Sequence, residues 1–162
     1  MIGKVGSSLA FGLLFKKRID TIILLDTNKT LLEGEYTDLG NASFLLRRFD
    51  IYEKGDYKDL KDADKVFICA GFPRKRPNDS MDLLYIKNKP IISNILKQLK
   101  TKGEVYLITN PVEKLAKEFN LIPLGLKLDL VRQYTNQKYG NHILKNKGYT
   151  NWGIVVEAIK RV

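Results

Sequence analysis

Three runs of strand length, Thr21–Asp26, Lys65–Ala70 and Glu104–Thr109, are apolar almost without interruption, and nothing else in the chain narrows its fold so far. A strand covered on one face alternates polar and apolar residues. A strand covered on both faces does not, and such strands belong to parallel sheets wrapped by helices. Stretches with helical spacing lie between the runs: Val5–Lys16, Lys29–Leu46 and Ser80–Lys100. In the last, Leu83, Leu84, Ile91, Ile92, Ile95 and Leu99 build an apolar stripe. Weaker strands fit Phe49–Glu53 and Leu121–Leu124, and short helices fit Val112–Phe119, Leu128–Tyr134 and Thr150–Lys160. The alternation implies an α/β fold with a doubly wound parallel sheet, in which ligands bind beyond the carboxyl ends of the strands.

The 162 residues, 44% of them hydrophobic, suffice for one domain with a core. The net charge of +10, from 28 Lys and Arg against 18 Asp and Glu, raises the question of a nucleic-acid partner. Its distribution argues against one: the cations are scattered over solvent faces, with short clusters at Lys16-Lys17-Arg18 and Arg74-Lys75-Arg76 and no aromatic stripe among them. The single cysteine, Cys69, sits in an apolar run as a small buried hydrophobe, so neither a disulfide nor a metal site is expected. With no charged leader before an apolar segment and no run near the roughly 20 apolar residues of a membrane span, a cytoplasmic protein without membrane partners is expected.

The chain opens Met1-Ile2-Gly3-Lys4-Val5-Gly6 and passes straight into a helical pattern, matching the second half of a G-x-G-x-x-G dinucleotide fingerprint. Gly3 would let the backbone approach a pyrophosphate, Gly6 would let the helix pack on the sheet, and the helix N-terminus would supply donors. Asp26 stands 20 positions beyond Gly6, where a carboxylate accepts hydrogen bonds from the adenosine ribose and repels a 2′-phosphate, favouring NAD over NADP. The alternative is a helix N-cap. Only Met1 and Ile2 precede Gly3, so the first central strand, which should feed the glycine loop, is missing. Either the start lies upstream, or the sheet closes over the gap, or another chain fills it.

These features combine with Ala70-Gly71-Phe72-Pro73-Arg74-Lys75, Ile108-Thr109-Asn110-Pro111-Val112, Leu128-Asp129 with Arg132, and Lys147-Gly148-Tyr149-Thr150-Asn151-Trp152-Gly153. In that order they resemble the NAD-dependent malate/lactate dehydrogenase family, in particular its malate dehydrogenase-like members. The resemblance implies a Rossmann-like NAD-binding domain over residues 1–124 and a remnant of the substrate domain, packed on it, over 125–162. It implies NAD as cofactor, held by Gly3, Lys4, Val5, Gly6, Asp26, Ala70, Gly71 and Asn110. It implies a small dicarboxylate or 2-hydroxy acid as substrate, a place in the tricarboxylic acid cycle, and a homo-oligomer paired through helices such as Lys29–Leu46 and Tyr149–Lys160.

Further roles follow from the same resemblance. Asn110 would lie between cofactor ribose and substrate oxygen. Arg132 would grip the substrate carboxylate with its planar fork, and Asp129 would orient a catalytic histidine; a plain i, i+3 ion pair on a helix is the alternative for these two. Arg74 would meet the second carboxylate of malate or oxaloacetate, a solvated loop cation being the alternative. Thr150 would lie near nicotinamide and substrate.

The chain also departs from the family. Where members carry a second loop arginine that polarises the reacting carbonyl, this chain has Ser80. The family's histidine stands in a Gly-Glu-His-Gly segment, whereas the single histidine here, His142, follows Asp129 by 13 positions and reads as a surface helix residue rather than a proton relay. Most of the substrate domain is absent. Two functions therefore stand side by side: a malate dehydrogenase-like oxidoreductase with impaired hydride transfer, and a non-catalytic NAD-binding or assembly protein derived from that family.

Overall fold

Helix α1, Lys4–Leu13, begins immediately after Gly3. The computed structural model describes residues 2–74, 79–125 and 139–162, the last with side chains from Ile143 onward. After α1 come β1 (Ile22–Leu24), α2 (Lys29–Leu45), β2 (Tyr52–Lys54), a 3-10 turn (Tyr57–Leu60), β3 (Lys65–Ile68), α3 (Met81–Gln98), β4 (Glu104–Leu107), α4 (Val112–Phe119), β5 (Ile122–Pro123), α5 (Tyr139–Lys147) and α6 (Trp152–Ile159). Every strand pairing is parallel, with Ile22 opposite Tyr52, Lys65 opposite Glu104 and Tyr106 opposite Ile122. The α/β architecture expected from the continuous apolar runs is thus present. The helix expected at Leu128–Tyr134 lies outside the described residues.

Local chemistry sets the element ends. Asn28 and Ser80 cap α2 and α3 by accepting from the Leu31 and Leu83 amides, each at 3.1 Å. Helix α4 stops at Asn120, whose φ of 53° is left-handed and turns the chain into β5. Arg48 closes the turn after α1: its guanidinium donates to the carbonyls of Leu14 and Lys16, each at 2.7 Å, and to that of Ile19. The Tyr52 hydroxyl donates to the Ala10 carbonyl at 2.8 Å, and burial holds that phenol well above its usual pKa.

Among the described residues the sheet comes in two parts, β1-β2 and β3-β4-β5, with no ladder between β1 and β3. A cavity of about 770 Å³ occupies the gap, walled by β1, β3 and the apolar side chains of Leu9, Leu13, Ile95 and Leu99. Among the described residues the sheet does not close over this gap. This also explains why β1 spans only Ile22–Leu24 of the longer run expected there: it has one neighbour to pair with. Helix α1 bridges the two parts, sending Ala10 and Leu14 into a core with Leu24, Leu32 and Tyr52, and Leu9 and Leu13 into another with Tyr106, Ile154 and Ala158. Helices α1 and α6 meet at Gly12, where an added Cβ would run into the Ile159 side chain. No helix among the described residues is long and apolar enough to cross a membrane.

Two expectations follow. Replacing Arg48 with Met removes a charged donor from three carbonyls and should cost about 2–4 kcal/mol, read as a lower urea midpoint with unchanged slope. Cys69, on the cavity wall, has its thiol pushed up to about 11 by burial. Alkylation by iodoacetamide at pH 8 should therefore run roughly 100-fold slower than for a free thiol and quicken through pH 10. Because the folded state holds this proton more tightly, the associated stability is present below the ordinary thiol pKa and is lost as pH rises toward 11. A rate at pH 8 equal to that of an exposed cysteine would contradict this.

Candidate functional site

Gly3 is the N-cap of α1, and a Cβ built on it meets nothing within 4 Å, so the space before the helix is open. The first intrahelical bond runs from the Ser7 amide to the Gly3 carbonyl at 3.0 Å, which leaves the amides of Lys4, Val5 and Gly6 without a carbonyl acceptor inside the helix. Helices α2 and α3 cover their starts with side chains; α1 has no side-chain cap and no acidic residue in its first turn. Its N-terminus therefore presents donors and partial positive charge to whatever anion enters.

Asp26 stands beside that terminus and is buried. One carboxylate oxygen accepts the Ile2 amide at 2.7 Å and the other accepts the Asn28 amide at 2.8 Å. The cap of α2 is Asn28, so the N-cap alternative for Asp26 does not hold. Each oxygen accepts one backbone proton and keeps a lone pair for another donor. Tyr57, unmarked by any sequence motif, lies near enough to this carboxylate to feel its charge. Burial raises its phenol pKa and the charges of Asp26 and Asp56 raise it further, so it remains a protonated donor.

The next two strand ends are stitched together. The Thr109 hydroxyl donates to the Ala70 carbonyl at 2.5 Å, and a Cβ on Gly71 would collide with the Thr109 side chain. The bare backbone at Gly71 is thus required by Thr109 of its own chain. Asn88, fully enclosed on α3, accepts the Phe72 amide at 2.5 Å and donates to the Asn110 carbonyl at 2.6 Å. One amide side chain so fixes the loops after β3 and β4 against each other. The Asn110–Pro111 peptide is cis, and Asn110 itself is exposed.

Arg74 is half-buried at the edge of the described segment, and residues 75–78 lie outside it. Ser80 serves as the cap of α3. Thr150 is exposed in a loop tied to α1 on both sides: Asn151 donates to the Ser8 hydroxyl at 2.8 Å, and the Tyr149 ring lies 3.9 Å from Lys4 Nζ and 4.5 Å from Lys147 Nζ. Asp129 and Arg132 lie outside the described residues. The backbone of His142 belongs to α5, and its side chain lies outside the description.

Asp26 follows β1, paired in parallel with β2, and Ala70-Gly71 and Asn110 follow β3 and β4, paired in parallel with each other, so each stands at the carboxyl end of its strand. Residues 1–123 match the family described as lactate/malate dehydrogenase, NAD binding domain. Over 116 residues, 70% of the chain, it is 42% identical to a probable L-lactate dehydrogenase of Schizosaccharomyces pombe. Over 142 residues, 80% of the chain, it is 35% identical to L-lactate dehydrogenase 2 of Lactiplantibacillus plantarum. The matched stretches cover 34% and 45% of those relatives, so the chain spans less than half their length. The malate dehydrogenase of Archaeoglobus fulgidus in complex with NADH superposes with a TM-score of 0.80 at 22% identity, covering 99% of this chain and 74% of that one. This last likeness is one of fold.

Substituting Asn88 by Asp tests the stitch between the loops. The carboxylate keeps an acceptor for Phe72 but turns an oxygen toward the Asn110 carbonyl, and should cost about 2–4 kcal/mol with faster amide exchange at Phe72. Unchanged exchange there would mean that the loops are held by something else.

Proposed function

Since the chain belongs to the NAD-binding domain family of the lactate and malate dehydrogenases, we propose that it is the cofactor-holding part of a dehydrogenase of small 2-hydroxy acids, with a dicarboxylate of the malate/oxaloacetate type as substrate. The observation that carries the reading is the uncapped start of α1, open in front of Gly3 and flanked by the Asp26 carboxylate. NAD fits this arrangement. The amides from Gly3 to Gly6 suit its diphosphate, the free lone pairs of Asp26 suit the ribose hydroxyls, and the same negative charge disfavours a 2′-phosphate.

When bound, NAD supplies the carbon that accepts or gives a hydride. The chain's own residues bind and orient. Ala70-Gly71 and Asn110, locked by Thr109 and Asn88, border the cofactor from the neighbouring strand ends. Arg74 supports the dicarboxylate, since a guanidinium pairs with a carboxylate through two parallel hydrogen bonds. Thr150 reaches the same region through its tie to α1. In this reading Asp129 and Arg132 complete the substrate grip, and residues 1–124 and 125–162 form the cofactor domain and the substrate-domain remnant.

A second reading, a non-catalytic NAD-binding protein, is favoured by Ser80. The position of the carbonyl-polarising arginine is used to cap α3, and the loss of even one hydrogen-bond donor to a developing oxyanion costs catalysis about 2.7–4 kcal/mol.

Titration with NADH, followed by its fluorescence, should saturate, and oxaloacetate-dependent oxidation of NADH separates the two readings. Asp26→Ser should shift the NADPH-to-NADH affinity ratio toward NADPH by about tenfold, because a repelling charge is removed. Absence of saturable NADH binding at millimolar concentration would refute both.

A further inference from the structure

Lysines that lie over aromatic rings recur in this chain, and they differ in what else holds them. Lys54, Lys65, Lys89 and Lys114 each pair with a carboxylate as well. Lys147, over the rings of Tyr149 and Trp152, donates to the Asn151 side-chain oxygen at 2.7 Å. Lys4 lies 3.9 Å from the centre of the Tyr149 ring, and among the described residues no carboxylate pairs with it. A ring face attracts an exposed ammonium more weakly than a carboxylate does, so most of the Lys4 charge is left to act on something else.

Its place in the fold says on what. Lys4 is the first residue of α1, whose start carries neither a side-chain cap nor an acidic residue. Side chains on a helix lean toward its N-terminus, so the Lys4 stem extends toward the uncapped amides. The ring that holds it is moored to the same face of α1 one turn on. The Ser8 hydroxyl donates to the Lys4 carbonyl at 2.7 Å, and the buried Asn151 side chain donates to the Ser8 hydroxyl at 2.8 Å. The ammonium groups of Lys4 and Lys147 share Tyr149, at 3.9 and 4.5 Å from its centre, and repel each other there. Lys147 is tied down by Asn151, so Lys4 is the one of the two that an arriving anion draws off.

We propose that Tyr149 is a positioning residue for the diphosphate of the cofactor: it parks the Lys4 ammonium beside the first turn of α1, from where Lys4 pairs with phosphate oxygens as a point charge. The helix amides supply directed donors, and Lys4 supplies the full positive charge that they lack. This role rests on the dinucleotide reading above and deepens it, since it gives residues 147–151 a part at the diphosphate as well as beside Thr150.

The test compares the full chain with Lys4→Met, Tyr149→Leu and Tyr149→Phe, using NADH and inorganic pyrophosphate as probes and the urea midpoint as a check on folding. Lys4→Met should weaken both probes about fivefold at low salt, and their affinity should then fall less steeply as salt rises. Tyr149→Leu should weaken them about threefold, whereas Tyr149→Phe, which keeps the ring face and loses only the hydroxyl, should bind like the parent chain. In the Lys4→Met background Tyr149→Leu should add nothing, because the two residues act as one unit. Equal losses with Leu and Phe, or a loss from Tyr149→Leu that persists without Lys4, would overturn the proposal. Binding of NADH that Lys4→Met leaves undiminished would sink this role and spare the dinucleotide reading. No saturable binding of either probe to the parent chain would sink both.

Discussion

One buried carboxylate holds the ligand-binding edge in place. Asp26 accepts the Ile2 amide on one oxygen and the Asn28 amide on the other, joining the start of α1, the end of β1 and the entry to α2 at a single side chain. Bonds to a charged acceptor are worth roughly twice those between neutral groups. Without them nothing local would aim the helix terminus at the carboxyl edge, because α1 reaches β1 only through a long turn. That turn is in turn gripped by Arg48.

The second requirement is that two sheet fragments behave as one body. Helix α1 meets it by being apolar on two faces: residues 10 and 14 pack toward β1 and β2, while residues 9 and 13, a helical step away, pack toward β4 and α6. A helix with a single apolar stripe could serve one fragment only. The same division leaves Phe11 and Phe15 exposed, edge to face at 5.5 Å, on the remaining surface. Helix α6 completes the arrangement by pressing against Gly12, and the Asn151–Ser8 bond carries the Thr150 loop along with it.

What the sequence made legible is what local pattern encodes. The uninterrupted apolar runs gave parallel strands, 3.6-residue spacing gave α2, α3 and α4 nearly to their ends, and the glycine-to-aspartate spacing placed Gly3 and Asp26 side by side. The contacts that tie these segments together were not legible, because they join distant segments through single polar side chains: Asn88 to Phe72 and Asn110, Asp26 to Ile2, Arg48 to the turn after α1. No periodicity announces such a bond. Ser80 illustrates a subtler case. Comparison with a family marks it as an absent arginine, whereas the structure marks it as a present cap, and both descriptions follow from the same hydroxyl.

The cavity between β1 and β3 and the uncapped start of α1 meet at Ile2 and Gly6. Ile2 lines the gap with its residue and gives its amide to Asp26, and Gly6 lines the gap while its own amide belongs to the uncapped first turn. Ala70 lines the same cavity, so the loop after β3, which Asn88 and Thr109 tie to the loop after β4 and to α3, borders it as well.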